Sequence, residues 1–429
     1  MAAWLPPEGG RVMRRPRYQQ MSMTRMSPAP SVTPPERQET VETVRSLVLP
    51  EDAPVRRIPS RPEEFRGADF DARFDFHTLV FDAVGSEDGR TVRLLCPALL
   101  NLREPMLAAG ITALPSGRPC RAHHRLLDRH EEFLVEVEPC TQALEIDGPL
   151  GCFRVEVSPP RFDAFEGERV VLTLSKNNEL VWLQDWARFY RDVHGATALL
   201  IYDNGSTRYG PEELLAALRE VEGFRRVTVV QWPFRHGPPG YGSKRYWDSN
   251  FSQLGMFADA RWRFLQRARS VLNCDLDELV LSRSGRSVFE ATEASPAGVT
   301  SFYGDWVFGI DGVTRPLDEA APARFTDYRH KLAPVVTYRY GLIPRYPMRC
   351  NPKWAVVPAR CPPEAQWHTH TINGWWRARL VSRDFRFRHF REISTNWKYD
   401  RSERESFDPA RHAEDELMAR SFARVDWAR

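Results

Sequence analysis

From residue 166 onward, short apolar runs alternate with stretches in which apolar residues return every three or four positions. The run "RVVLTLSK" precedes a stretch from Glu179 to His194 in which Leu183, Trp186, Ala187, Tyr190 and Val193 fall on one helical face. A second run, "TALLIYD", is followed by Gly210-Pro211-Glu212-Glu213, which reads as a helix start: proline suits the first helical position and acids suit the first turn. The third run is "RVTVVQWP"; a helix is then expected over roughly residues 250–268, and the fourth run, "SVLNCD", leads into Asp275-Leu276-Asp277. Strands and helices in this order imply an α/β fold with a mainly parallel sheet flanked by helices.

Upstream the rhythm differs. Residues 67–165 offer short extended stretches with alternating apolar positions ("FHTLVFDAV", "TVRLLC", "EFLVEVEP", "CFRVEVS") between Gly, Pro and Asp clusters, the pattern of a small antiparallel β-rich domain. Residues 1–66 are dense in Pro, Arg, Ser and Glu and poor in periodic apolar positions, so a disordered tail is expected there. The Rossmann-like catalytic domain is assigned to residues 166–405, and residues 406–429 are expected to form a short C-terminal helix.

In an open α/β sheet, ligands gather at the carboxyl ends of the parallel strands. The residues that follow the four runs are Lys176-Asn177-Asn178-Glu179, Asp203-Asn204-Gly205-Ser206-Thr207, Trp232-Pro233 and Asp275-Leu276-Asp277-Glu278. In extended chain, positions i and i+2 project to one side, so Asp275 and Asp277 are expected to address a single hard cation, Mn²⁺ or Mg²⁺, which prefers carboxylate and phosphate oxygens. Asp203 is a candidate for holding a nucleoside through its carboxylate, or else it closes an Asx turn between strand and helix. Lys176 either meets a phosphate or ends its strand in solvent.

Composition removes several alternatives. With 60 basic and 57 acidic residues the net charge is +3, which gives no reason to expect a nucleic-acid partner. The seven cysteines are scattered and never spaced C-x-x-C, so neither a disulfide framework nor a common zinc module is indicated, and a reducing, cytoplasmic setting is expected, with a peripheral place at the membrane left open. No secretory signal and no transmembrane segment of about 18 apolar residues is found. The first loop has no G-x-G-x-x-G, Pro211 stands where a Walker A lysine is required, and no G-x-S-x-G elbow occurs.

Taken together, "SKNNELVWLQDWARFYRDVHGATALLIYDNGST", "VVQWP", Gln253 and "NCDLDELVL" resemble the family 92 (DUF23-type) glycosyltransferases and their bacterial relatives, which have a GT-A fold. The similarity covers roughly residues 170–281 and continues more weakly to about residue 401 through "WVFG", "HTH" and "RHFREISTNWK". It implies a nucleotide-sugar donor, a UDP-sugar first, and a glycan or other hydroxyl acceptor. Asp275 and Asp277 would be the metal and diphosphate ligands, Asp203 the nucleoside contact, and Lys176, Asn177 and Glu179 the lining of the donor site. The chain departs from the family pattern at Asn178, an extra residue, at Asp185, where Glu is usual, and at Arg208, where Asp often follows S-T. In GT-A enzymes a C-terminal histidine commonly completes the metal shell, which makes His389 and His370 candidates. Asp305 and Asp311, flanking "WVFG", are candidate bases by position. Arg388, Arg391 and Lys398 are candidates for steadying the diphosphate, and Trp232, Trp306, Trp375 and Trp376 for stacking on a sugar or filling the core. Two rival readings stay open: a D-x-D phosphatase with an aspartyl nucleophile, and a non-catalytic carbohydrate-binding protein on a transferase fold.

Overall fold

In a computed structural model the protein is described over residues 37–240, 248–314, 321–333, 336–340, 342–346, 349–395 and 404–428. Among these, a nine-stranded sheet runs through the molecule. Its strands are β1 (Gln38–Glu42), β2 (Arg169–Ser175), β3 (Ala198–Asp203), β4 (Arg226–Gln231), β5 (Ser270–Asn273), β6 (Glu278–Ser282), β7 (Val299–Val307), β8 (Arg349–Val356) and β9 (Phe385–Phe390), in the order β1-β4-β3-β2-β5-β8-β7-β9-β6. The five strands from β1 to β5 are mutually parallel, and β7 is parallel to β9; β8 and β6 run against their neighbours. The fold is therefore α/β with a mainly parallel central sheet, as the alternation of runs and helices predicts.

Helices α1 (Leu180–His194) and α2 (Pro211–Arg219) are the crossovers from β2 to β3 and from β3 to β4. Strand alternation divides the core between the faces they cover. Val171, Leu199, Ile201, Val227 and Val229 meet Leu183, Trp186, Tyr190, Leu214 and Leu218 of α1 and α2. Val170, Leu172, Leu200, Tyr202 and Val230 meet α3 (Phe251–Asp259) together with Phe70, Phe74 and Phe81. Gly195 ends α1 in the left-handed region at φ +68°, where its N–H and that of Ala196 bond the carbonyls of Arg191 and Tyr190. The third expected helix stays α-helical only to Asp259, then widens into a π turn over Ala260–Phe264.

The β-rich segment forms two four-stranded antiparallel sheets among the described residues, Asp82–Gly85 with Thr91–Pro97, His130–Glu136 and Ala122–Leu127, and Gly151–Glu156 with Ala143–Gly148, Gly110–Leu114 and Arg118–Pro119. It packs onto α3, and the described residues from Arg37 onward make one compact unit.

Two expectations are corrected. The tail expected over residues 1–66 ends earlier: residues 1–36 lie outside the described set, but Gln38–Glu42 is an edge strand paired in parallel with β4. Composition misreads this segment because its polar and basic residues are structural. Arg37 donates to the carbonyls of Leu218 and Val221 at the end of α2, at 2.9 and 2.8 Å, and Arg57 is wholly buried on the carbonyls of Asp75 and Thr78. The C-terminal helix is also shorter than expected, Glu416–Phe422, because His412–Glu414 pairs as a strand with His330–Leu332 and Asp415 caps the helix by accepting the Met418 N–H at 3.3 Å.

Candidate functional site

The register of the parallel strands brings the candidate loops to one edge. Ser175 of β2 lies opposite Asp203 of β3, which lies opposite Gln231 of β4, while Leu172 of β2 lies opposite Asn273 of β5. The segments holding Lys176, Asp203, Trp232 and Asp275 thus leave the sheet side by side.

The first two loops are cross-linked. Asn177, in the left-handed region at φ +54°, accepts the N–H groups of Thr207 and Arg208 at 2.7 and 3.1 Å, and donates its own N–H to Ser206 Oγ at 2.8 Å. The extra residue Asn178 is buried, with its amide on Ser175 Oγ at 2.9 Å. Arg208 forms an ion pair with Glu179 at 2.6 Å, a second tie between the two loops. Asp203 is buried, and burial pushes its carboxyl upward; its oxygens accept the Ser206 N–H and hydroxyl, the Asx-turn arrangement. Asn204 reaches the third loop, donating to the carbonyls of Trp232 and Phe234 at 2.8 and 2.7 Å.

The aspartates sit in a turn and not in extended chain: the Glu278 N–H bonds the Asp275 carbonyl at 3.1 Å. The expectation that Asp275 and Asp277 project together is overturned by that turn. Asp275 Oδ2 lies 2.7 Å from Lys353 Nζ, on β8, whereas Asp277 Oδ2 lies 3.0 Å from His389 Nε2, on β9. Glu278 joins the halves. Its Oε2 accepts the Asp275 N–H at 3.0 Å and lies 3.1 Å from Lys353 Nζ, and its Oε1 is 3.5 Å from His389 Nδ1. Antiparallel pairing sets Glu278 opposite His389, and Trp306 of β7 stacks on the imidazole with centroids 4.0 Å apart.

Lys353 has a side chain with no solvent exposure. Burial alone would lower its pKa, but Asp275 and Glu278 more than reverse this and hold the ammonium above its ordinary value. Burial raises the Glu278 carboxyl, against the pull of Lys353. The cluster thus gathers three acidic side chains around one lysine and one histidine, oxygen and nitrogen donors of the kind a divalent cation takes.

Among the described residues, the atoms of Asp277, Glu278 and His389 form the group close enough to share a metal ion, all within 4.8 Å of one another. Two carboxylates and an imidazole are donors suited to Mn²⁺. Asp275 is outside that group. His370 lies on the Lys353 side, with Nδ1 on the Pro352 carbonyl at 3.2 Å, and burial, aided by Lys353, pushes its pKa down to about 3. His368 is tied to Asp128 and Arg129, and Cys361 takes the Trp367 N–H at 3.4 Å.

Asp305 projects to the other face of the sheet, where Arg386 and Arg388 occupy its oxygens, so it is poorly placed to take a proton. Asp311 is exposed, with Arg404 at 3.9 Å. Arg388 is shared between Asp305 and Asp415, Arg391 lies over Phe308, and Lys398 is outside the described residues. Trp232 and Trp375 are core residues, whereas Trp376 is exposed.

Sequence reasoning missed Lys353 and left Glu278 without a role. The signal for Glu278 was a charged residue opening the otherwise apolar run "ELVL"; Lys353 in "NPKWAVV" carries the same mark.

No protein-family model matches the chain, and no curated protein matches it. Among solved structures it aligns with the galactosyltransferase LgtC in complex with donor and acceptor sugar analogs, at 14% identity over 44% of this chain and 58% of that one, TM-score 0.22. It also aligns with S. aureus TarS 1-349, at 14% identity over 45% and 47% of the two chains, TM-score 0.23, and with Core-mannan synthase A from Aspergillus fumigatus in an Mn/GDP form, at 12% identity over 36% and 47%, TM-score 0.22. Each alignment spans less than two thirds of the other chain.

Proposed function

We propose that the protein is a metal-assisted glycosyltransferase of the GT-A type, related to family 92, that moves a sugar from a nucleotide-sugar to a hydroxyl acceptor. The observation that carries this reading is the meeting, at one edge of a parallel sheet, of Asp203 and the Asp275 turn with the Asp277–His389 pair. In this proposal Asp277 and His389 hold a divalent cation, Mn²⁺ or Mg²⁺. Glu278, on the far nitrogen of the imidazole, orients the ring as second carboxylates do in histidine metal sites. When bound, the cation neutralises charge on a departing diphosphate.

The chain's own residues supply the rest. Asp275, held by Lys353 at 2.7 Å, lines the donor side. Asp203, fixed by Ser206, accepts from the nucleoside, and the braced Lys176–Glu179 loop closes the donor side, with Thr395 Oγ1 at 3.4 Å from the Lys176 carbonyl. Of the two carboxylates expected as bases, Asp305 is occupied by Arg386 and Arg388, and Asp311 is exposed beside Arg404 at 3.9 Å.

The test is turnover of a panel of UDP-, GDP- and CMP-sugars with and without Mn²⁺. The wild type is expected to release nucleotide from one donor only with metal, and Asp277→Asn to lose about 100-fold or more in rate, as when one charge-stabilising group is removed from an active site. Near-wild-type turnover by Asp277→Asn overturns the assignment.

A further inference from the structure

The strands Thr337–Arg339 and Ile343–Arg345 form a hairpin outside the core clusters and the candidate site. Thr337–Arg339 pairs with Ile343–Arg345, and the Leu342 N–H bonds the Arg339 carbonyl at 3.2 Å across the loop. Among the described residues these two strands join no other sheet. A two-stranded hairpin alone is only marginally stable in water, yet this one displays its apolar side chains to solvent: Tyr338 is 62%, Tyr340 78% and Leu342 83% exposed, and Val336 and Tyr346 are exposed beside them. Isolated exposed apolar residues are ordinary; a run of them on a projecting loop marks an interaction surface.

The charges narrow the partner. Between Asp327 and Glu364 the sequence has no acidic residue, while Arg339 lies in the hairpin and Arg349 at its exit. Arg339 lies over the Tyr340 ring at 4.9 Å, and Arg349 lies over both Tyr346 at 3.8 Å and Tyr303 of β7 at 4.6 Å, which fastens the foot of the hairpin to the sheet. Tyrosines beside arginines with a bare leucine at the tip match the layering of a bilayer surface. Arginines meet lipid phosphates, tyrosine rings settle among headgroups, and leucine enters the acyl boundary. A sugar polymer would use the arginines and tyrosines but has no use for the leucine.

We infer that this hairpin docks the protein on an anionic lipid surface. The strand it leads into, β8, carries Lys353, so docking fixes the acidic edge of the sheet with respect to the bilayer. No described helix is long and apolar enough to cross a membrane, and the contact is peripheral.

Cosedimentation of the full chain with vesicles tests this without any donor or acceptor, so its outcome is independent of the transferase reading. The protein is expected to pellet with phosphatidylcholine vesicles containing about one-third phosphatidylglycerol, to remain in solution with phosphatidylcholine alone, and to be released by salt. Leu342→Asp should lower the bound fraction about tenfold and Arg339→Glu about fivefold, each at an unchanged melting temperature because both side chains project into solvent. Failure of the wild type to pellet with anionic vesicles, or equal pelleting of Leu342→Asp, overturns the inference. So does binding of a soluble polyuronate without vesicle binding, which would assign the hairpin to a glycan.

Discussion

Lys353 is the residue on which the acidic cluster depends for stability. It sits wholly buried between Asp275 and Glu278, at 2.7 and 3.1 Å. Removing one partner of a buried ion pair leaves the other charge uncompensated, a cost of about 3–5 kcal/mol. Lys353→Met should therefore lower unfolding stability by that order in a urea titration, whereas an effect under about 1 kcal/mol would mean that the carboxylates are neutral or well hydrated without it. The residue scale is also where sequence reasoning reached its limit. Asp203, Asp275 and Asp277 stand out in the sequence because short polar residues after apolar strands mark the ligand edge of an α/β sheet, whereas His389, inside β9, is a candidate only through the family resemblance. Lys353 was not, because its role depends on β8 entering the sheet beside β5, a non-local pairing that no local pattern encodes.

At the scale of elements, α1 is the frame on which the aspartate turn is held. Trp186, Tyr190 and His194 recur every four residues and each bonds the segment that follows β5. Trp186 donates to the Asp275 carbonyl at 3.1 Å, Tyr190 donates to the Glu278 carbonyl at 2.9 Å, and His194 donates from Nε2 to the Val280 carbonyl at 2.7 Å. The helical period was readable, but it was read as a core stripe; that these polar tips also reach backbone groups follows only from the packing. His194 Nδ1 accepts the Val288 N–H at 3.1 Å, so the ring is needed neutral, and burial, with Arg424 adding to it, pushes its pKa down to about 4. The folded state thus binds fewer protons than the unfolded chain between pH 4 and the ordinary histidine value of about 6.5. Stability contributed by His194 is full above that window and is lost as pH falls through it, on the order of 3 kcal/mol. Denaturant titrations at several pH values should show a shallower acid slope for His194→Gln than for the wild type; identical slopes would mean that the imidazole is not held neutral.

For the whole molecule, the apolar runs were enough to foresee a mainly parallel sheet and which strand ends meet. The edge strand β1 was missed, since an edge strand needs little hydrophobicity when its ladder to β4 and arginines such as Arg37 hold it in place. The turn that separates Asp275 from Asp277 was missed for a similar reason: a D-x-D string does not state its backbone geometry. The central claim is that Asp277 and His389 together hold the ion that serves the donor diphosphate. The most direct measurement is Mn²⁺ binding followed by electron paramagnetic resonance, with UDP or GDP present, on the wild type, Asp277→Asn and His389→Ala. The wild type should bind Mn²⁺ with a histidine-nitrogen coupling, His389→Ala should lose that coupling, and both variants should bind at least about tenfold more weakly. Equal Mn²⁺ affinity in all three proteins, with the nitrogen coupling intact in His389→Ala, would contradict the account.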